Sequence, residues 1–143
     1  MKKNNKGFSL VELIVVVLIM AIIAVALAPQ VMKWVENSRK STDCNNYDSV
    51  VSAVNIALAN EAVMTEISTS GATVTWDGRT GGTWTVSLGD SSALFNAIAG
   101  VLGNTWDDDL KLKRTTDING DYVITISSNG TVTRTNAPSA NVS

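Results

Sequence analysis

The chain has 143 residues and a formal charge of −2, enough for one small domain plus a long helix but not for two independent domains. It has no histidine and one cysteine, Cys44, which excludes the usual Cys/His zinc sites, Cys–His and Ser–His catalytic pairs, and an intrachain disulfide. A mildly acidic balance also argues against a nucleic-acid-binding surface, which is normally basic.

The chain opens with Met1-Lys-Lys-Asn-Asn-Lys6, a short basic lead of the kind the positive-inside rule holds in the cytoplasm. From Phe8 to Ala28 only Ser9 and Glu12 are polar. As a helix those 21 residues span roughly 31 Å, enough for a bilayer core of about 30 Å. Glu12 is the anomaly. A carboxylate at the centre of a lipid-facing helix costs about 2.5–3.5 kcal/mol, and intramembrane acids usually have a partner and a role. Glu12 lies near the cytoplasmic end, where it can also reach the interface. A cut between Gly7 and Phe8 would leave a new amino group four residues from it.

Lys6-Gly7 followed by Phe8-Ser9-Leu10-Val11-Glu12-Leu13-Ile14 resembles the class III signal peptide of type IV prepilins and their pseudopilin relatives. Pro29 falls where many of those helices carry a proline. The resemblance is close over residues 6–29 and architectural beyond them. It implies that a membrane prepilin peptidase cuts after Gly7 and methylates the amine of Phe8. It further implies that in the filament Glu12 compensates the Phe8 amine of a neighbouring subunit. The expected partners are other pilin subunits, the prepilin peptidase, an inner-membrane platform, a motor ATPase and, before assembly, the membrane. No cofactor is expected. Many Gram-negative type IV pilins close a C-terminal loop with a disulfide; a single cysteine departs from that pattern and fits Gram-positive pilins better. For Cys44 the expectation is a half-buried or unbridged thiol rather than a crosslink between subunits.

The residue types suit that chemistry. Gly7 lets a protease approach its carbonyl closely. Phe8 gives an apolar new terminus whose amine, with a reference pKa of about 7.7–8.0, is largely cationic at neutral pH. A rival site exists at Ala24-Val-Ala-Leu-Ala28, with small residues of the kind ordinary signal peptidases use. Pro29 just beyond it, and an apolar core of 16 residues, disfavour that cut.

The leader is thus set at 1–7, a hydrophobic membrane or filament-core helix at 8–32, its amphipathic continuation at 33–68, and a sheet-bearing head at 69–143. Pro29 cannot donate to Val25, so a kink is expected there. Lys33 and Trp34 suit an interfacial anchor. Tyr47, Val51, Val54, Leu58 and Ala62, widened by Val50 and Ala57, form one apolar stripe. The lack of glycine from Phe8 to Ser68 suggests one spine of some 60 residues, weakest near 38–46.

Ala72–Trp76 and Thr83–Leu88 read as a hairpin about the turn at 77–82. Asp90–Gly103 reads as a helix, capped by Asp90 or Ser91, with Leu94, Ile98, Val101 and Leu102 inward and Gly103 as its stop. Asp107–Arg114 reads as a strand around Leu110-Lys-Leu-Lys. Asp121–Ser127 and Thr131–Arg134 flank a Ser-Asn-Gly turn, and the tail from Asn136 is polar. The fold class is therefore α+β and pilin-like: a long N-terminal helix, its hydrophobic half protruding and its amphipathic half packed on the head, with an antiparallel sheet of about four or five strands.

Asp107, Asp109, Asp117 and Asp121 are weak calcium candidates, lacking the spacing of an EF-hand loop. Trp76, Trp84 and Trp106 are expected in the core rather than on a binding face. No nucleophile–base set is visible, so an enzyme is not expected. The leading function is a structural pilin of a surface filament for motility, adhesion or DNA uptake. A pseudopilin of a secretion or competence machine is the alternative, and a membrane-anchored or secreted binding domain the third reading.

Overall fold

The computed structural model describes residues 7–77, 82–112 and 121–138. It divides into two compact units, Met1–Glu36 and Asn37–Ser143. Helix α1 (Leu10–Ala57) begins in the first and ends in the second.

In the first unit the apolar run is helical although Val15-Val-Val17 and Ile22-Ile23 are β-branched and poor helix formers in water. An apolar solvent reverses that preference, because a helix satisfies every backbone N–H and C=O within one segment. None of this span is buried in the chain itself. Each Val, Leu or Ile left in water forgoes about 1.5–3 kcal/mol, so the run amounts to tens of kcal/mol of unsatisfied burial. The helix continues through Pro29, whose neighbours remain helical.

The second unit is a four-stranded antiparallel sheet with helices on one face, an α+β architecture consistent with a pilin fold. Strands β1 (Ala72–Trp76), β2 (Trp84–Val86), β3 (Tyr122–Ile126) and β4 (Val132–Thr135) lie in the order β2-β1-β3-β4. Alternation sends Ala72, Val74 and Trp76 inward from β1, and Tyr122, Ile124 and Ile126 from β3. Against them pack Tyr47, Val50, Val51, Val54 and Ala57 of α1, together with Ala53. The three tryptophans Trp76, Trp84 and Trp106 are all buried, with Trp84 touching Tyr47, Trp76 and Trp106 at centroid distances of 6.0, 5.6 and 6.4 Å. They form the core rather than a binding face.

Five local expectations change. The helical run to Ser68 is divided: α1 ends at Ala57, and α2 (Glu61–Ile67) starts after a tight turn. Ala59 and Asn60 donate to Ile56 and Ala57, and the Asn60 side chain accepts from the Ala62 N–H as an N-cap. The turn resets the helical phase, so Val63 and Ile67 are buried while Ala62 is exposed. The 38–46 stretch stays helical.

Helix α3 (Ala93–Leu102) is capped by Ser92, not Asp90 or Ser91. Its Oγ accepts from Phe95 N–H, while Glu66 of α2 accepts from Ala93 and Leu94 N–H at 3.2 and 3.1 Å. A carboxylate at a helix N-terminus suits both the orphan donors and the macrodipole. Val101 is exposed and Ala99 is buried instead, beside Leu94 and Ile98. Gly103, at φ 105°, ends the helix and donates to Ala99.

The expected strand at Asp107–Arg114 is absent over its described residues. Trp106–Asp109 is a single helical turn, α4, with three acids at its positive end. The carbonyls after it serve side chains rather than a ladder: Leu110 accepts from Trp84 Nε1 at 3.0 Å and Lys111 from Asn46 Nδ2 at 3.2 Å. Most of the turn expected at 77–82, and residues 113–120 and 139–143, lie outside the described residues.

Candidate functional site

The residues singled out by the sequence sit where α1 begins. Gly7, Phe8 and Ser9 are not helical, and Leu10 opens the helix. Ser9 is the reason for that start. Its Oγ accepts from the Val11 N–H at 3.3 Å, and its own N–H donates to Glu12 Oε2 at 2.8 Å. This reciprocal arrangement is a variant of the Ser-x-x-Glu capping box, with the Ser9 hydroxyl on the second rather than the third helical N–H, and it satisfies two backbone donors that the helix cannot. The spacing of Ser9 and Glu12 signals this pattern in the sequence, beside the reading of Glu12 as a charge in need of a partner.

The consequence is geometric. The Glu12 carboxylate is folded back toward the residue after Phe8, and the Gly7–Phe8 peptide bond stays ahead of the first helical turn. Phe8 is almost fully exposed, at 95%. A Cβ placed on Gly7 would meet nothing within 4 Å. The surrounding described chain therefore makes no packing demand for glycine there, and its backbone has no positive φ that would require it.

Trp34 is exposed, beside Lys33. In the second unit, Asp109 accepts from the Thr105 hydroxyl at 2.6 Å, and Asp108 pairs with Lys111 at 3.2 Å. Asp121 is exposed, and its backbone carbonyl accepts from Asn136 Nδ2. Asp117 lies outside the described residues. Among the described residues no group of three or more His, Cys, Asp or Glu side chains is placed to hold a metal ion. Cys44 is half-buried, with its Sγ 3.5 Å from the Pro138 carbonyl oxygen.

Asp43 is a buried acid, a feature its polar neighbours in sequence did not signal. Tyr47 is buried too, and among the described residues its hydroxyl has no hydrogen-bond partner, nor does Trp106 Nε1. Burial raises the Tyr47 pKa above its ordinary 10.0; the nearby Arg134 guanidinium opposes the rise and Asp48 adds to it.

Comparison with known proteins bears on the first of these regions. Residues 2–28 match the family model described as the prokaryotic N-terminal methylation motif, the signal of type IV prepilins and pseudopilins. No curated protein and no solved structure matches the chain. The motif supports a type IV pilin- or pseudopilin-like protein, and the apolar helix that carries it and the α+β head are consistent with one. That motif points to a structural protein anchored in the membrane before assembly and processed by a prepilin peptidase.

Proposed function

We propose that the chain is a structural subunit of a type IV pilus, polymerising through its Phe8–Ala28 helix into a cell-surface filament used for motility, adhesion or DNA uptake. The observation that carries the reading is a methylation motif on a helix whose apolar surface is wholly uncovered in the chain itself. Lipid covers such a surface before assembly, and sister helices cover it afterwards.

In this reading the peptidase cuts the Gly7–Phe8 bond and Phe8 becomes an N-methylated terminus. Glu12 then answers the Phe8 amine of an adjacent subunit, so neither charge enters the filament core alone. Removing one member of a buried pair typically costs about 3–5 kcal/mol, which makes the pair a check on subunit register. Pro29 marks the place where the helix bends during packing. An inner-membrane platform and a motor ATPase supply the work of assembly. Pseudopilins carry the same motif, and fibre length separates the two roles.

The test is intact mass and N-terminal sequencing of the cell-surface form. The expected result is a chain starting at methylated Phe8 and recovered in long fibres. A surface form that begins elsewhere, or one that stays monomeric, refutes the proposal.

A further inference from the structure

Helix α1 carries one exposed side chain unlike its neighbours. Trp34 is 67% exposed, next to Lys33. No other Trp or Tyr precedes Tyr47 in the sequence, and the run from Leu13 to Ala28 is apolar without a single ring.

Length gives that position a meaning. Trp34 lies 24 residues beyond Leu10 on one continuous helix, about 36 Å along its axis, or about 34 Å at a common tilt of about 20°. A hydrocarbon core is about 30 Å thick, and the whole bilayer about 40–45 Å. A helix centred in it puts Trp34 in one headgroup layer and Leu10 in the other. Gly7, Phe8 and Ser9 run on outside the helix, so the Gly7–Phe8 bond reaches the water edge of that second layer.

We infer that Trp34 is a positioning residue for processing: seated in the outer headgroup layer, it sets the depth at which α1 presents the Gly7–Phe8 bond to a peptidase at the opposite surface. The partner it fits is the boundary between lipid and water, where the apolar rings and the N–H of an indole are both satisfied. Lysine does this less well. Lys33, and Lys6 before the span, have long stems that follow the headgroups over several ångströms, so they tolerate sliding. The apolar run by itself centres the helix elsewhere. Its midpoint falls between Met20 and Ala21, whereas the midpoint of Leu10–Trp34 is Ile22. The difference is about 2 Å, and without the indole it draws the scissile bond toward lipid. The inference rests on the cut at Gly7–Phe8 proposed above.

The test uses the full chain in phospholipid vesicles, alone and together with a prepilin peptidase. Trp76, Trp84 and Trp106 are at most 2% exposed inside the head, so quenching of fluorescence by brominated lipids reads Trp34. Bromines near the headgroup are expected to quench more than bromines near the bilayer centre. Cleavage is then followed for wild type, Trp34→Tyr, Trp34→Ala, and Gln30→Trp combined with Trp34→Ala, all on exposed helix surface outside the core. Trp34→Ala is expected to raise KM about fivefold with kcat unchanged, and Trp34→Tyr to keep the wild-type value. The double variant moves the ring about 6 Å toward the bond and draws the bond into lipid, so cleavage should fall about tenfold. A Trp34 that lipid bromines do not quench, or a Trp34→Ala chain cut like wild type, overturns the inference and leaves the cut itself standing. Normal cleavage of Trp34→Ala with loss of filaments makes the ring a packing contact between subunits, and overturns it equally. A wild-type chain that is not cut at Gly7–Phe8 removes both readings.

Discussion

Replacing Glu12 separates its two possible contributions. Among the described residues it accepts one hydrogen bond, from the Ser9 N–H at 2.8 Å, at an exposed helix end. A cap of this kind is worth about 1 kcal/mol. In a packed filament the same carboxylate would offset a neighbour's Phe8 amine, and leaving that amine buried alone costs about 3–5 kcal/mol. Glu12→Gln keeps an oxygen for Ser9 but loses the charge; Glu12→Val loses both. If pairing dominates, both variants should lower filament yield by roughly 100-fold or more, since each 1.4 kcal/mol is about a factor of ten. If capping dominates, Glu12→Gln should assemble nearly normally and Glu12→Val should fall by about tenfold or less. Neither change should reduce the membrane pool, because removing an acid from an apolar helix eases insertion. The assay is sheared-filament mass relative to membrane-bound subunit at matched expression. Normal yield from Glu12→Gln would refute the pairing argument.

Other predictions follow from single residues. Gly7→Leu should leave the chain's own fold untouched, because a side chain there meets open space, yet should block processing; N-terminal sequencing that still finds Phe8 first would remove Gly7 from the site. Gly71→Ala should destabilise the head, since Gly71 sits at φ +71° and a Cβ there runs into the Ile126 carbonyl oxygen. The backbone strain alone costs about 1–3 kcal/mol, a fall of several degrees in the thermal midpoint of the full chain in detergent. Tyr47→Phe removes a buried hydroxyl that has no partner among the described residues, so the midpoint at neutral pH should stay level or rise. Because the folded pKa of Tyr47 is raised, the wild-type chain should lose stability as pH climbs above 10, where the unfolded phenol ionises first. Tyr47→Phe should lack that component, and an unchanged alkaline slope would count against the burial argument.

The sequence by itself determined the features whose causes are local. The motif at 7–12 is a linear pattern, the span to Ala28 is composition, and the capping box needs residues three apart. Strands β1, β3 and β4 follow from β-branched alternation, and Gly103 stops α3 as a glycine should. Tertiary structure decided what depends on partners distant in the chain. Glu66 was read as part of a spine, but it caps a helix 27 residues on. Leu110-Lys-Leu looked like a strand by propensity. Its carbonyls instead go to Trp84 and Asn46, 26 and 65 residues away, and the acids before it favour a helical turn. The division at Leu58–Asn60 follows the same rule: it turns Val63 and Ile67 into a core whose other walls arrive later in the chain. Propensity and pattern act over one or two turns, whereas burial and hydrogen-bond satisfaction are settled by whatever the fold brings alongside.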